Sequence, residues 1–203
     1  MSNEKFQILS GKWQDTYIKA DGTQEKTDIF HNQIQDSAYT VVASLLANQF
    51  DILNIPNATP TTFGISHIDY GIGDPSWDDI ANQPVQQLTA DTQINNAVYR
   101  QEILQSQVTF VPVNDPFGGN AVSQTPTNRL RVSLVLTEQE PIATNGLAQL
   151  REFGLFCRFN DNVNAANQVN DGLIFNWVVH PLIAKDNTLR IERVIEITIS
   201  RCP

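Results

Sequence analysis

The sequence is short of positive charge. Thirteen Lys and Arg stand against 22 Asp and Glu in 203 residues, a formal net charge of -9. Binding to duplex phosphate needs clustered Lys and Arg, whereas here Arg129, Arg131, Arg151 and Arg158 are scattered. Specific nucleic-acid binding is therefore not expected. Long apolar runs are missing as well. None approaches the ~20 residues of a membrane span, and Met1 to Lys5 leads into polar sequence with no apolar signal core, so neither membrane insertion nor a Sec-exported route is expected. Charged residues of both signs make up only 17% of the chain, and Asn, Gln, Thr and Ser fill much of the predicted surface.

Cysteine is nearly absent, with only Cys157 and Cys202. Their spacing demands no disulfide, and two ordinary thiols in a reducing compartment are the simpler reading. Catalytic and cofactor signatures are missing too. There is no GxSxG, P-loop or GxGxxG signature. His31, His67 and His180 sit in no metal-ligating spacing, and Asp69, Asp74, Asp78 and Asp79 do not match an EF-hand loop. These absences predict no enzyme, no metal and no cofactor. Asp in such a turn more commonly caps backbone N–H groups.

What is present is β patterning. Lys12 to Lys19, a turn at Ala20-Asp21-Gly22-Thr23 and Gln24 to Phe30 predict an N-terminal β-hairpin. Asn32 reads as the N-cap of a helix whose apolar face is Ile34, Ala38, Val41, Val42, Leu45 and Leu46. Residues 63–71 and 98–113 read as strands, and 114–127 as a loop with Gly118-Gly119 at a hairpin tip. Leu130, Val132, Leu134 and Leu136 alternate with Arg131, Ser133 and Val135, and residues 150–159 and 173–179 read as further strands. In the last strand, 188–200, Leu189, Ile191, Ile195, Ile197 and Ile199 share one face. Arg193 interrupts that face and calls for a partner or an exposed end. Residues 160–171 read as a long polar loop.

The expected fold is mainly β (α+β), an antiparallel β-sandwich with one N-terminal amphipathic helix and an N-terminal β-hairpin. It forms a single domain, 1–203, in which hairpin and helix, 1–50, are an appendage on a β-sandwich core, 63–203. A chain of this length can bury roughly 70% of its unfolded surface and needs no staples.

Several short motifs recur in a set order: Tyr70-Gly71-Ile72-Gly73-Asp74, then Ile94 to Arg100 (INNAVYR), then Leu150-Arg151-Glu152-Phe153-Gly154-Leu155-Phe156, then Gly172-Leu173, then His180-Pro181 to Lys185. By itself, the third places Phe153 and Leu155 on one face of a strand, with Glu152, Gly154 and Phe156 on the other. Gly154 there permits close approach of a neighbour, and Glu152 is placed to satisfy a buried Arg or backbone N–H groups. In this order the motifs resemble a family of phage tail proteins that includes the attachment domains of tail-collar fibres. The departure is Ala97, where the family carries Glu, so Arg100 needs another partner here.

The resemblance implies a structural virion component at the neck, collar or baseplate of a phage tail or related injection machine. Such a component joins tail parts or anchors fibres, without a fibre shaft of its own. It implies a symmetric oligomer among other tail proteins, located in the virion after assembly in the host cytoplasm. Its structural motif residues are Arg100, Arg151, Glu152, Phe153, Gly154 and Lys185. Loops 114–127 and 160–171 are candidates for subunit contacts. The alternative is a host-glycan-binding module at the tail tip, with Trp77 and Asp78 as its contact residues.

Overall fold

A computed structural model describes residues 9–34, 38, 64–83, 94–141, 146–158 and 173–199. Ten strands account for most of them: β1 (Leu9–Lys19), β2 (Gln24–Lys26), β3 (Phe30–Ile34), β4 (Gly64–Gly71), β5 (Ala97–Glu102), β6 (Val108–Phe110), β7 (Arg129–Leu136), β8 (Ala148–Arg158), β9 (Leu173–Lys185) and β10 (Leu189–Ile199). Their hydrogen-bonded order is β5-β4-β8-β9-β3-β1-β10-β7-β6, with β2 added to β1. Every pairing is antiparallel.

β3 carries this order from one half to the other. Phe30, His31 and Asn32 pair with β1, and Gln33 and Ile34 pair with β9. Asn32 and Ile34 are thus strand residues, which corrects the helix N-cap expected at Asn32: two strand edges compete for this backbone and satisfy its hydrogen bonds better than a helix start would. Ala38 is fully buried. Its backbone is helical, while residues 35–37 and 39–46 of the expected helix lie outside the described residues, and every helical element described in full is a short 3-10 turn.

The hairpin forms as its Asp-Gly turn requires. Gly22 has φ 82, and Gly22 N–H donates to Lys19 O at 2.9 Å. β1 then runs beside β10 in unbroken register, Leu9 opposite Ile199 through Lys19 opposite Leu189. It lies inside the sheet order, flanked by β3 and β10, so the hairpin is built into the same structure as the C-terminal strands.

The alternation in β7 and β10 has the expected consequence. Val132, Leu134, Leu136, Ile191, Ile195 and Ile197 are buried and join Ile68, Tyr70, Phe153, Leu155 and Val178 of the other half in one core. Trp13 of β1 stacks on Phe30 at 4.8 Å and meets Phe153 of β8 edge-on at 5.3 Å, so the two halves face each other across it. Arg193 lies within this core. Its guanidinium bonds Asp15 of β1 at 2.7 and 2.6 Å and sits 3.9 Å from the Phe153 ring centroid.

Two strand boundaries differ from expectation. Residues 98–113 form two strands, β5 and β6, separated by a 3-10 turn at Gln105–Gln107. β5 pairs with β4 and β6 with β7, at opposite ends of the order. The His180-Pro181 step is not a strand end but lies within β9. The register against β8 shifts between Leu150 and Glu152, and such a bulge accommodates a proline that cannot donate to the ladder.

Candidate functional site

The sequence motifs meet along β4, β5, β8 and β9. Arg151 of β8 reaches a 3-10 turn, Pro75–Asp78, that follows β4. Its Nε and Nη2 donate to the Asp78 carboxylate at 2.7 and 2.9 Å, and its Nη1 donates to Ile72 O at 3.2 Å. The hydrogen bonds from Arg151 hold Asp78 below the usual carboxylate range. The neighbouring acids are also engaged. Asp74 accepts from Ser76 N–H at 2.8 Å and Asp79 from Ala81 N–H at 3.0 Å. Both are side-chain caps of the kind that short polar residues supply in turns.

Glu152, next along β8, is fully buried; the register shift at Arg151 turns both side chains away from the main core that holds Leu150 and Phe153. Its Oε2 accepts from the Trp177 indole N–H of β9 at 2.8 Å. Burial pushes its carboxyl up to about 7, opposed by that indole and by the backbone N–H groups of Asn95 and Gly73. Of the two partners foreseen for Glu152, the backbone N–H groups are the ones it faces, and Trp177 is an addition. Gly154, two residues on, has close neighbours as expected. A Cβ there would lie 2.8 Å from Ile94 Cδ1 and 2.9 Å from Ile174 Cδ1. With Phe156, these two isoleucines form a small second core outside the main one. Phe153 is in the main core, beneath Arg193.

Arg100 finds the partner that Ala97 cannot supply. Asp69, opposite it in the β4–β5 ladder, accepts its Nε and Nη2 at 2.8 and 2.9 Å. Lys185, at the end of β9, is buried and donates from Nζ to Asp186 O at 2.8 Å. It lies opposite Ala148, away from the Arg151 and Glu152 contacts. Burial lowers its pKa.

Trp77 is half-buried. Its ring stands edge-on to Trp177 at 6.5 Å and lies over Gly73, where a Cβ would come within 2.6 Å of it. Asp78 is occupied by Arg151. Among the described residues, no three His, Cys, Asp or Glu side chains gather as a metal site would require. His67 Nδ1 shares a hydrogen bond with Ser66 Oγ at 2.8 Å, and its ring stacks on Phe156 at 5.1 Å. His180 Nδ1 lies 2.9 Å from Pro181 O, and burial pushes its pKa down to about 3. Cys157 is a free, buried thiol pushed up to about 12 by burial. Cys202 lies outside the described residues.

A second cluster fastens the loop between β6 and β7. Glu196 of β10 accepts from Arg129 Nη2 at 2.6 Å, from Arg131 Nε and Nη2 at 3.0 and 2.8 Å, and from Gly118 N–H at 3.2 Å. Arg131 also reaches Asp115 at 3.1 Å, and Arg129 Nη1 gathers the carbonyls of Pro112, Val113 and Asp115. Loop 114–127 is thereby tied down over the outer face of β7 and β10. Sequence reading missed this because Arg129, Arg131 and Glu196 fall on the polar side of their strands and read as solvated. The other candidate contact loop, 160–171, lies outside the described residues.

No protein-family model, curated protein or solved structure matches this chain. No helix among the described residues is long and apolar enough to cross a membrane.

Proposed function

We propose that this chain is an antiparallel β-sandwich acting as a structural component of a phage tail or related injection machine. It sits at the neck, collar or baseplate and joins tail parts or anchors fibres. The observation that carries this reading is the convergence of the ordered motifs. Arg100, Arg151 and Glu152 lie far apart in sequence from the groups they hold, yet each is spent on fixing strand ends and turns: Asp69, Asp78 and Trp177 respectively. Side chains invested in this way build a rigid module rather than a reactive cleft. Trp77 packed on Gly73 and Trp177, with Asp78 bound to Arg151, favours the structural reading over glycan binding. A cryo-EM map of particles from the genome that encodes this chain tests the proposal. Density for this fold in a symmetric ring or cluster at the neck, collar or baseplate is the expected result, and its absence from the particle overturns it.

A further inference from the structure

Residues 111–128 are a long connection for a two-stranded β6–β7 turn. Loops of that length in compact domains are either functional or disordered. This one is held by two carboxylates and two guanidiniums. Arg131 and Glu196 are buried, and burying charge carries a desolvation cost. The β7–β10 ladder is already complete from Ile191 opposite Leu136 to Thr198 opposite Arg129, so pairing of these strands does not need the clamp. What the clamp achieves is a fixed outer surface. Fixing a loop in advance removes the ordering cost that would otherwise weaken an association. The surface it fixes carries exposed apolar side chains: Val113 is 63% and Val122 49% exposed.

The charge pattern bears on the choice of partner. The chain carries nine more acidic than basic residues, yet residues 116–128, Pro116 to Asn128, include none of either sign. The carboxylates beneath them, Asp115 and Glu196, are matched by Arg129 and Arg131. Like charges brought together across an interface oppose association, and this patch is where two copies of an acidic chain meet without that opposition. A basic partner would gain no ion pair from Asp115 or Glu196, which Arg129 and Arg131 already occupy.

We propose that loop 111–128 is a pre-formed contact surface for a second copy of this chain. The proposal rests on the assembly role above and specifies the surface that serves it. Sedimentation of the full chain over a concentration series tests it, with two variants. Val113→Asp with Val122→Asp adds two negative charges within the patch. Lys26→Glu, on exposed β2, changes the net charge by the same amount far from it. The expected result is reversible self-association, weakened at least about tenfold by the double variant and little changed by K26E. Self-association unaffected by the double variant, equal weakening by K26E, or a monomer at every concentration reached each overturns the proposal. Tail particles that contain the chain, together with a purely monomeric isolated protein, would sink this surface and leave the assembly role standing.

Discussion

Asp15 and Arg193 face each other across the β1–β10 ladder, 178 residues apart in sequence, in a two-point ion pair closed off from solvent. Burial lowers the arginine's pKa, but the Asp15 carboxylate more than reverses that and holds the guanidinium above its usual range. The pair lies against the rings of Phe153, Tyr70 and Trp13. Removing one partner leaves the other charge buried alone, which typically costs about 3–5 kcal/mol. Asp15→Ala and Arg193→Ala are each expected to show that loss in denaturant titrations. The double replacement Asp15→Leu with Arg193→Met is expected to recover most of it, because no unpaired charge remains. Single variants as stable as the parent would show that the pair is not buried as described.

Ile195 and Ile197 sit in the core with relative exposures of 0% and 1%. Truncating either to Ala removes buried methyl groups and leaves a cavity, at a cost of about 2–5 kcal/mol. Ile199, at 39% exposure on the same face, is expected to lose far less. Thermal melts of the three variants check both the register and the end of the buried stripe.

The two motif ion pairs are expected to differ in strength. Arg100–Asp69 has side-chain exposures of 4% and 0%, whereas Arg151–Asp78 has 4% and 41%. Asp69→Ala therefore leaves a buried cation and should cost about 3–5 kcal/mol. Asp78→Ala should cost clearly less, because solvent reaches Asp78 and screens the pair, and Arg151 keeps its bond to Ile72 O. Equal losses in denaturant melts would contradict the difference in burial.

Glu152 sets a pH dependence of defined sign. Its folded pKa, about 7, lies above the ordinary value of 4.5, so ionisation is opposed in the fold. The stability it contributes is fully present below pH 4.5 and is lost as pH rises through 7. His180 acts in the opposite direction. Its folded pKa, about 3, lies below the ordinary 6.5, so its contribution is present above pH 6.5 and lost as pH falls toward 3. Glu152→Gln should flatten the decline between pH 4.5 and 7 and raise stability at pH 8 by at most about 3 kcal/mol. Denaturant melts of parent and variant across that range provide the check, and an unchanged slope would contradict it.

Local periodicity made the strands readable. The alternation in β7 and β10, the Asp-Gly turn and the two faces of Phe153 and Glu152 all follow from residues close in sequence. What stayed hidden depends on distant partners. Arg193 visibly broke an apolar face, but nothing near it pointed to Asp15. Ala97 signalled that Arg100 needed a new partner without indicating Asp69. Between β5 and β6, no Gly or Pro marks the break at Gln105–Gln107, so the β-rich composition read as one strand. Asn32 resembled an N-cap because its short amide suits one, yet the flanking strands β1 and β9 claim that backbone. Arg129, Arg131 and Glu196 occupy the polar side of their strands, and only a loop folding back turns that side into an interior.

The proposed role makes this chain a part that a phage tail or injection machine needs for assembly. Its most direct test is to delete the gene from the genome that encodes this chain and examine the purified particles by electron microscopy and infectivity. Particles that lack a tail part or its attached fibres and are not infectious are expected, with recovery when the chain is supplied in trans. Normal, infectious particles made without the chain would contradict it.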